Sequence, residues 1–202
     1  MPDGANVTVK HNVRVAANAT FDAQTHSTVT IYGNLIGGRG SRVGLGCTPA
    51  HPCNGDASET TSTHDYVAHN VILNGVFNAA LNGDTIGGSV ISSGGGAGVD
   101  FPGFIPFSIK DDTIGKNVVV TNLSTIWFGV IRSTIGGNVI LKNVNLGDPD
   151  GNEVVANTIG RNLICSGNSP ANQLGDAVEG APPGYGLNTV GGHALGQCAR
   201  LI

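Results

Sequence analysis

Little of this sequence is charged. Lys and Arg number 10 and Asp and Glu 14 in 202 residues, for a formal net charge of −4. No basic run offers the electrostatic footprint by which proteins neutralise phosphates, so no nucleic-acid partner is expected. Aromatic residues are equally scarce, at 5%. No stretch of 18 consecutive apolar residues occurs, which excludes a membrane-spanning helix. There is no nucleophile elbow, P-loop or dinucleotide fingerprint, and Gly94-Gly95-Gly96-Ala97-Gly98 lacks the strand-to-helix setting of a phosphate cradle. No amphipathic helix of useful length is legible. Nor is a signal peptide, because Met1-Pro2-Asp3-Gly4 leads directly into Asn6-Val7-Thr8-Val9. Met1 is read as a start placed before a mature secreted chain.

What the chain does have is small and aliphatic residues. Hydrophobic residues reach 40% and glycines number 32, a mixture that suits short strands joined by tight turns in which Gly and Asn supply positive φ. Asp112-Thr113-Ile114-Gly115-Lys116-Asn117-Val118-Val119-Val120 is the recurring unit. It returns around Thr85, Thr134, Thr158 and Thr189, at intervals of 21 to 31 residues. A short strand repeated at such a period signals a solenoid. An antiparallel sandwich also has regular short strands, but its hairpins would not reproduce the same seven residues five times.

The expectation is therefore an all-β, single-stranded parallel β-helix, coiling right-handed, with disulfide-restrained loop insertions. One domain spans 1–202. Residues 1–36, with alternating Val7, Val9, Val13, Val15, Val29, Ile31 and Leu35, form N-terminal rungs. Residues 37–69 form a polar insertion, too long for an idle connection, and 70–202 carry the repeat rungs and a C-terminal cap. The four cysteines read as two disulfides, Cys47 with Cys53 and Cys165 with Cys198, and hence as an oxidising compartment. The alternative is a zinc site using His51, although a C-x5-C pair lacks a second ligand pair at recognisable spacing.

Aligned repeats predict columns about 4.8 Å apart per rung. Ile86, Ile114, Ile135, Ile159 and Val190 form one core column, and Leu81, Ile109, Val130, Val154 and Tyr185 a second. Asp84, Asp112, Ser133, Asn157 and Asn188 form a corner column, as do Ser89, Asn117, Asn138, Asn162 and His193. The outward Thr column could order water as ice-binding arrays do, but the residue two beyond each Thr is Gly. Three successive apolar residues in each post-glycine strand cannot all face one core. Ile91, Val119, Ile140, Ile164 and Leu195 thus form an outward apolar stripe and the candidate binding surface. Such a stripe calls for a cover, either a second copy of the chain or the 37–69 insertion.

The run Asn157-Thr158-Ile159-Gly160-Arg161-Asn162-Leu163-Ile164-Cys165-Ser166-Gly167-Asn168-Ser169-Pro170, closing with Asn188-Thr189-Val190-Gly191-Gly192-His193-Ala194-Leu195-Gly196-Gln197-Cys198, resembles the C-terminal part of secreted actinobacterial repeat proteins with stacked G-N-V-x-V rungs. The resemblance implies a secreted or cell-surface β-helix whose two cysteines sit where that family places its own. It implies no activity.

Many parallel β-helices act on polysaccharides. The candidate catalytic cluster is Lys110-Asp111-Asp112 beside Arg132, with Asp84 in the column of Asp112. Stacked carboxylates can bind Ca²⁺ or act as acid and base, but Asp111 can equally pair with Arg132 while Asp84 and Asp112 cap turns. His11, His26, His51, His64, His69 and His193 are scattered and read as solvated loop residues. Phe101, Phe104, Phe107 and Trp127-Phe128 could stack on sugars, or the Phe101–Pro106 segment could fold onto the apolar stripe. The leading reading is a non-catalytic structural or binding protein, acting in adhesion or self-assembly, without a cofactor. Its partners would be another copy, a cell-surface protein or a polysaccharide. The alternative is a carbohydrate-active enzyme.

Overall fold

A computed structural model describes residues 1–58, 60–103, 106–175 and 186–200, with the side chain of Pro106 left out. The chain winds into a parallel β-helix of eight rungs. Its first sheet stacks Asn6–Val9, Thr28–Ile31, Tyr66–Val67, Thr85–Ile86, Thr113–Ile114, Thr134–Ile135, Thr158–Ile159 and Thr189–Val190. The second stacks Val13–Val15, Leu35–Gly37, Val71–Asn74, Val90–Ser93, Val118–Thr121, Val139–Lys142, Leu163–Ser166 and Ala194–Gly196. The third has six strands, Thr20–Ala23, Arg42–Leu45, Asn78–Asn82, Pro106–Lys110, Trp127–Ile131 and Asn152–Val155. Every pairing between these strands is parallel, and Thr85, Thr113, Thr134, Thr158 and Thr189 lie in one register.

Alternation puts one residue in two on the axis, and the axis is filled with aliphatic side chains. Both expected core columns are there. Ile86, Ile114, Ile135 and Ile159 are buried in one, and Leu81, Ile109, Val130 and Val154 are fully buried in the other. Tyr185 lies outside the described residues. Phe107 and Phe128 stack 6.1 Å apart between rungs.

Two side-chain ladders close the corners around the first sheet, and they run in opposite directions. In one, the backbone N–H of each rung donates forward, Asp65 to Asp84, Asp84 to Asp112, Asp112 to Ser133, Ser133 to Asn157 and Asn157 to Asn188. In the other the N–H donates backward, from Asn34 to Asn12 and onward through Asn70, Ser89, Asn117, Asn138 and Asn162 to His193. A buried amide N–H left unpaired would be costly, so these columns must carry a side-chain acceptor.

Two expectations change. The glycine after each Thr-Ile is needed for close approach, not for positive φ. A Cβ at Gly87, Gly115, Gly136, Gly160 or Gly191 would lie 2.5–2.6 Å from the carbonyl oxygen of the rung before. Positive φ falls elsewhere, at Asn18, Asn122 and Asn143 on one corner and at Asp111, Arg132 and Ala156 on another. The insertion begins later than residue 37, because Arg42–Leu45 is a strand of the third sheet. What departs from the rung is 46–64, closed by a Cys47–Cys53 disulfide and fastened by Cys47–Thr63 and Thr48–His51 bridges. Cys165 and Cys198 form the second disulfide. The four thiols are thus unavailable to zinc, and the chain belongs in an oxidising environment.

Candidate functional site

The candidate catalytic residues divide between the inside and the outside of one corner. Asp84 and Asp112 are buried in the forward ladder. Asp84 accepts the N–H groups of Asp65 and Asn82, one on each oxygen, and Asp112 accepts that of Asp84. Burial first, then the neighbouring carboxylates, raises both well above the ordinary carboxylate pKa. Asp65 stands one rung earlier, pushed up to about 6 by burial. These carboxyls fix backbone from inside the corner, where burial disfavours their charged form. Among the described residues no three His, Cys, Asp or Glu side chains are grouped to hold a metal ion.

Lys110, Asp111 and Arg132 do come together, outside the third sheet. Asp111 and Arg132 share a left-handed corner column with φ of 59° and 50°. There Arg132 donates two hydrogen bonds of 2.7 Å, from Nε and a terminal nitrogen, to the two Asp111 oxygens. The Lys110 ammonium lies 4.5 Å from the Trp127 ring centre, and Trp127 donates its indole N–H to Glu153 at 3.0 Å. Burial first, with Arg132 adding to it, lowers Lys110 to about 8. Burial, then Lys110 and Arg132, lowers His51 of the cysteine loop to about 4. Asp111 and Arg132 therefore satisfy each other, while Lys110 rests on the Trp127 ring and Glu153 takes the indole N–H. His51, Trp127 and Glu153 join a cluster that the repeat pattern did not assign to them. The register of Gly129 against Glu153 was the available clue for one, but a loop residue such as His51 has no register to read.

The second sheet presents the other candidate. Its outward column runs Arg14, Ile36, Ile72, Ile91, Val119, Ile140, Ile164 and Leu195, in register across all eight strands. Ile36 and Ile72 lengthen the expected stripe by two rungs, and they stand in the same three-apolar runs, Leu35-Ile36-Gly37 and Val71-Ile72-Leu73. Among the described residues neither expected intramolecular cover is placed over it. The 46–64 insertion folds toward the first and third sheets, where Asn54 bonds Asp22 and His64 bonds the Gly83 carbonyl. Phe101 packs edge-on against Phe77, 5.5 Å away at the corner between the second and third sheets. Phe104 and Ile105 lie outside the described residues. Ile91 is 37% and Leu195 44% exposed.

No family model, no curated protein and no solved structure matches the chain. On the first sheet, Thr8, Thr30, Thr85, Thr113, Thr134, Thr158 and Thr189 form an outward column interrupted by Tyr66. From the fourth rung on, a bare glycine stands two residues beyond each Thr, so no second rank of hydroxyls accompanies it. No helix among the described residues is long and apolar enough to cross a membrane.

Proposed function

We propose that this chain is a secreted, non-catalytic structural and binding module that assembles by pairing its second sheet with that of another copy. The observation that carries this reading is the seven-residue aliphatic column from Ile36 to Leu195, half-buried along most of its length and exposed at Ile91 and Leu195. Apolar strips of such length are rare on monomers. Eight rungs at strand spacing make a face about 34 Å long, and three outward columns give roughly 500–700 Å² per partner. That approaches the ~800 Å² per side of a standard interface.

A second copy is the occupant that fits. The stripe is neutral and flanked by the Asn ladder on one side and by Asn74, Ser93, Thr121, Lys142 and Ser166 on the other. A two-fold contact would lay apolar on apolar and amide or hydroxyl on its like, without opposing charge columns. The disulfides and the C-terminal resemblance support a secreted or cell-surface setting. The catalytic alternative has less to stand on, since Asp111, Arg132, Lys110, Trp127 and Glu153 engage each other.

Sedimentation equilibrium over a concentration series tests the association. The wild type is expected to self-associate, and Ile140→Asp, which puts a carboxylate mid-stripe, is expected to be monomeric with an unchanged circular dichroism spectrum. A wild type that stays monomeric at high micromolar concentration overturns the proposal.

A further inference from the structure

The asparagines of this protein are mostly engaged in holding rungs together, which makes the unengaged ones informative. At the corner between the second and third sheets a groove of about 590 Å³ is lined by Asn18, Arg39, Asn74, Phe77, Ser124 and a run of glycines. It spans five rungs, roughly 19 Å at strand spacing. Among the described residues the side chains of Asn18, Arg39, Asn74 and Ser124 have no hydrogen-bond or ion-pair partner. The ladder asparagines Asn34, Asn117, Asn138 and Asn162, by contrast, bond the next rung.

The groove is built rigidly. One wall is the 94–99 turn, stitched to the rungs on either side. Gly96 donates to the Val76 carbonyl at 2.8 Å, Gly98 to Ser124 at 2.9 Å, and Ser124 back to Gly95 at 3.0 Å. Glycines at 95 and 96 let that turn lie directly on the neighbouring backbone. Phe77 is held between the Arg42 guanidinium, 4.0 Å above its ring, and the edge of Phe101.

The lining chooses the ligand. Pockets for apolar molecules are mostly hydrophobic and aromatic, whereas here Phe77 and Ala17 are the apolar contributors and the remainder is amide, hydroxyl, guanidinium and glycine backbone. Among the described residues no acidic side chain lines the groove, in a chain whose net charge is −4. Amides and a hydroxyl spaced along a trough suit a polyhydroxylated chain, with Phe77 as an apolar wall. Arg39, with its fork of donors unpaired, suits a carboxylate.

We propose that this groove binds an acidic saccharide through Arg39, with Asn18, Asn74 and Ser124 bonding its hydroxyls and Phe77 forming an apolar wall. The groove meets the second-sheet stripe at Asn74 and otherwise lies around the corner from it, so the titration is run on the Ile140→Asp variant as well as the wild type to separate it from self-association. A uronate tetrasaccharide and its methyl ester, titrated into the ¹⁵N-labelled protein with calorimetry alongside, provide the test. The acid should shift the amides of Gly40, Gly75 and Ser124, and the ester should bind at least tenfold more weakly, about 1.4 kcal/mol. Arg39→Ala should lose at least tenfold. Ala17→Trp, at an exposed lining position, should block the groove, while Arg161→Ala, on a different corner, should bind as wild type. Equal affinity for acid and ester, wild-type affinity in Arg39→Ala, or no shift of the groove amides at millimolar uronate would each overturn the assignment.

Discussion

Residue 112 is a carboxyl where later rungs use Ser133, Asn157 and Asn188, and the difference has consequences. Asp112 Oδ1 accepts the Asp84 N–H, but Oδ2 is buried without a partner. At the equivalent place Asn157 donates its amide to the Val130 carbonyl at 2.7 Å, and Asn188 donates to Val154. By register the acceptor awaiting residue 112 is the Leu81 carbonyl. Asp112→Asn should therefore stabilise the protein at pH 7 by about 1–3 kcal/mol, read as a melting temperature several degrees higher. Its pH dependence follows from a folded pKa raised above 3.8. A raised carboxyl contributes stability in full below its unfolded pKa and loses it as pH rises, so the gap between variant and wild type should widen from pH 4 to pH 7. The gap is the quantity to follow, because the raised Asp65 and Asp84 and the lowered His51 slope the curves of both proteins in opposite senses. A gap that stays constant with pH would show that residue 112 carries no raised pKa. Ala156 offers a second single-residue prediction. Its φ of 57° is strained for any residue with a Cβ, and Gly46 and Gly83 fill that corner in earlier rungs with φ of 56° and 81°. Ala156→Gly should raise stability by about 1 kcal/mol in urea denaturation, and a loss would show that the methyl group packs more than it strains.

A rung is held to its neighbour by strand hydrogen bonds and by one ladder member at each corner. Asn138 accepts the N–H and the side-chain amide of Asn162 and donates to Asn117. Asn138→Ala leaves the Asn162 N–H without its acceptor and should cost about 1–3 kcal/mol. Hydrogen exchange should quicken first at Asn162. If exchange there is unchanged, the ladder is decoration on a stack held by its strands. These columns were legible because strand alternation and a fixed repeat are both written in the order of residues. What was not legible depends on the neighbouring rung or on a loop. Gly136 reads as a turn former, while its actual reason, the Gly115 carbonyl 2.6 Å from any Cβ, belongs to another coil. Arg42-Val43-Gly44-Leu45 reads as loop because Gly44 breaks the alternation, yet Gly44 leaves room for the Gln24 side chain. Of the candidate cluster, Asp111 with Arg132 could be read from register, but the burial of Asp84 and Asp112 turns on which side of a corner a side chain falls.

Taken whole, the molecule is one-dimensional, since each rung touches chiefly the one before and the one after. Stability in such a stack is a sum of rung and interface contributions, so it can be lost locally. The eighth rung is closed by a 3₁₀ turn, Gln197–Arg200, whose Gln197 exchanges two hydrogen bonds with the Asn168 backbone and whose Cys198 is joined to Cys165. That disulfide spans 33 residues of sequence, which includes the turn back from the seventh rung to the eighth. Chain entropy assigns such a loop about 3–4 kcal/mol, against about 2 kcal/mol for the six-residue span of Cys47–Cys53. A Cys165→Ala/Cys198→Ala double variant should accordingly fray from one end. Hydrogen exchange should lose protection over Leu163–Ser166 and Ala194–Gly196 while Val71–Asn74 and Val118–Thr121 keep theirs. The matching Cys47→Ala/Cys53→Ala variant should loosen 46–64 and leave the rungs protected, because that loop lies outside the stack. Uniform loss of protection across all eight rungs in the first variant would mean that the helix unfolds as one cooperative body, and the additive description would then be wrong for this protein.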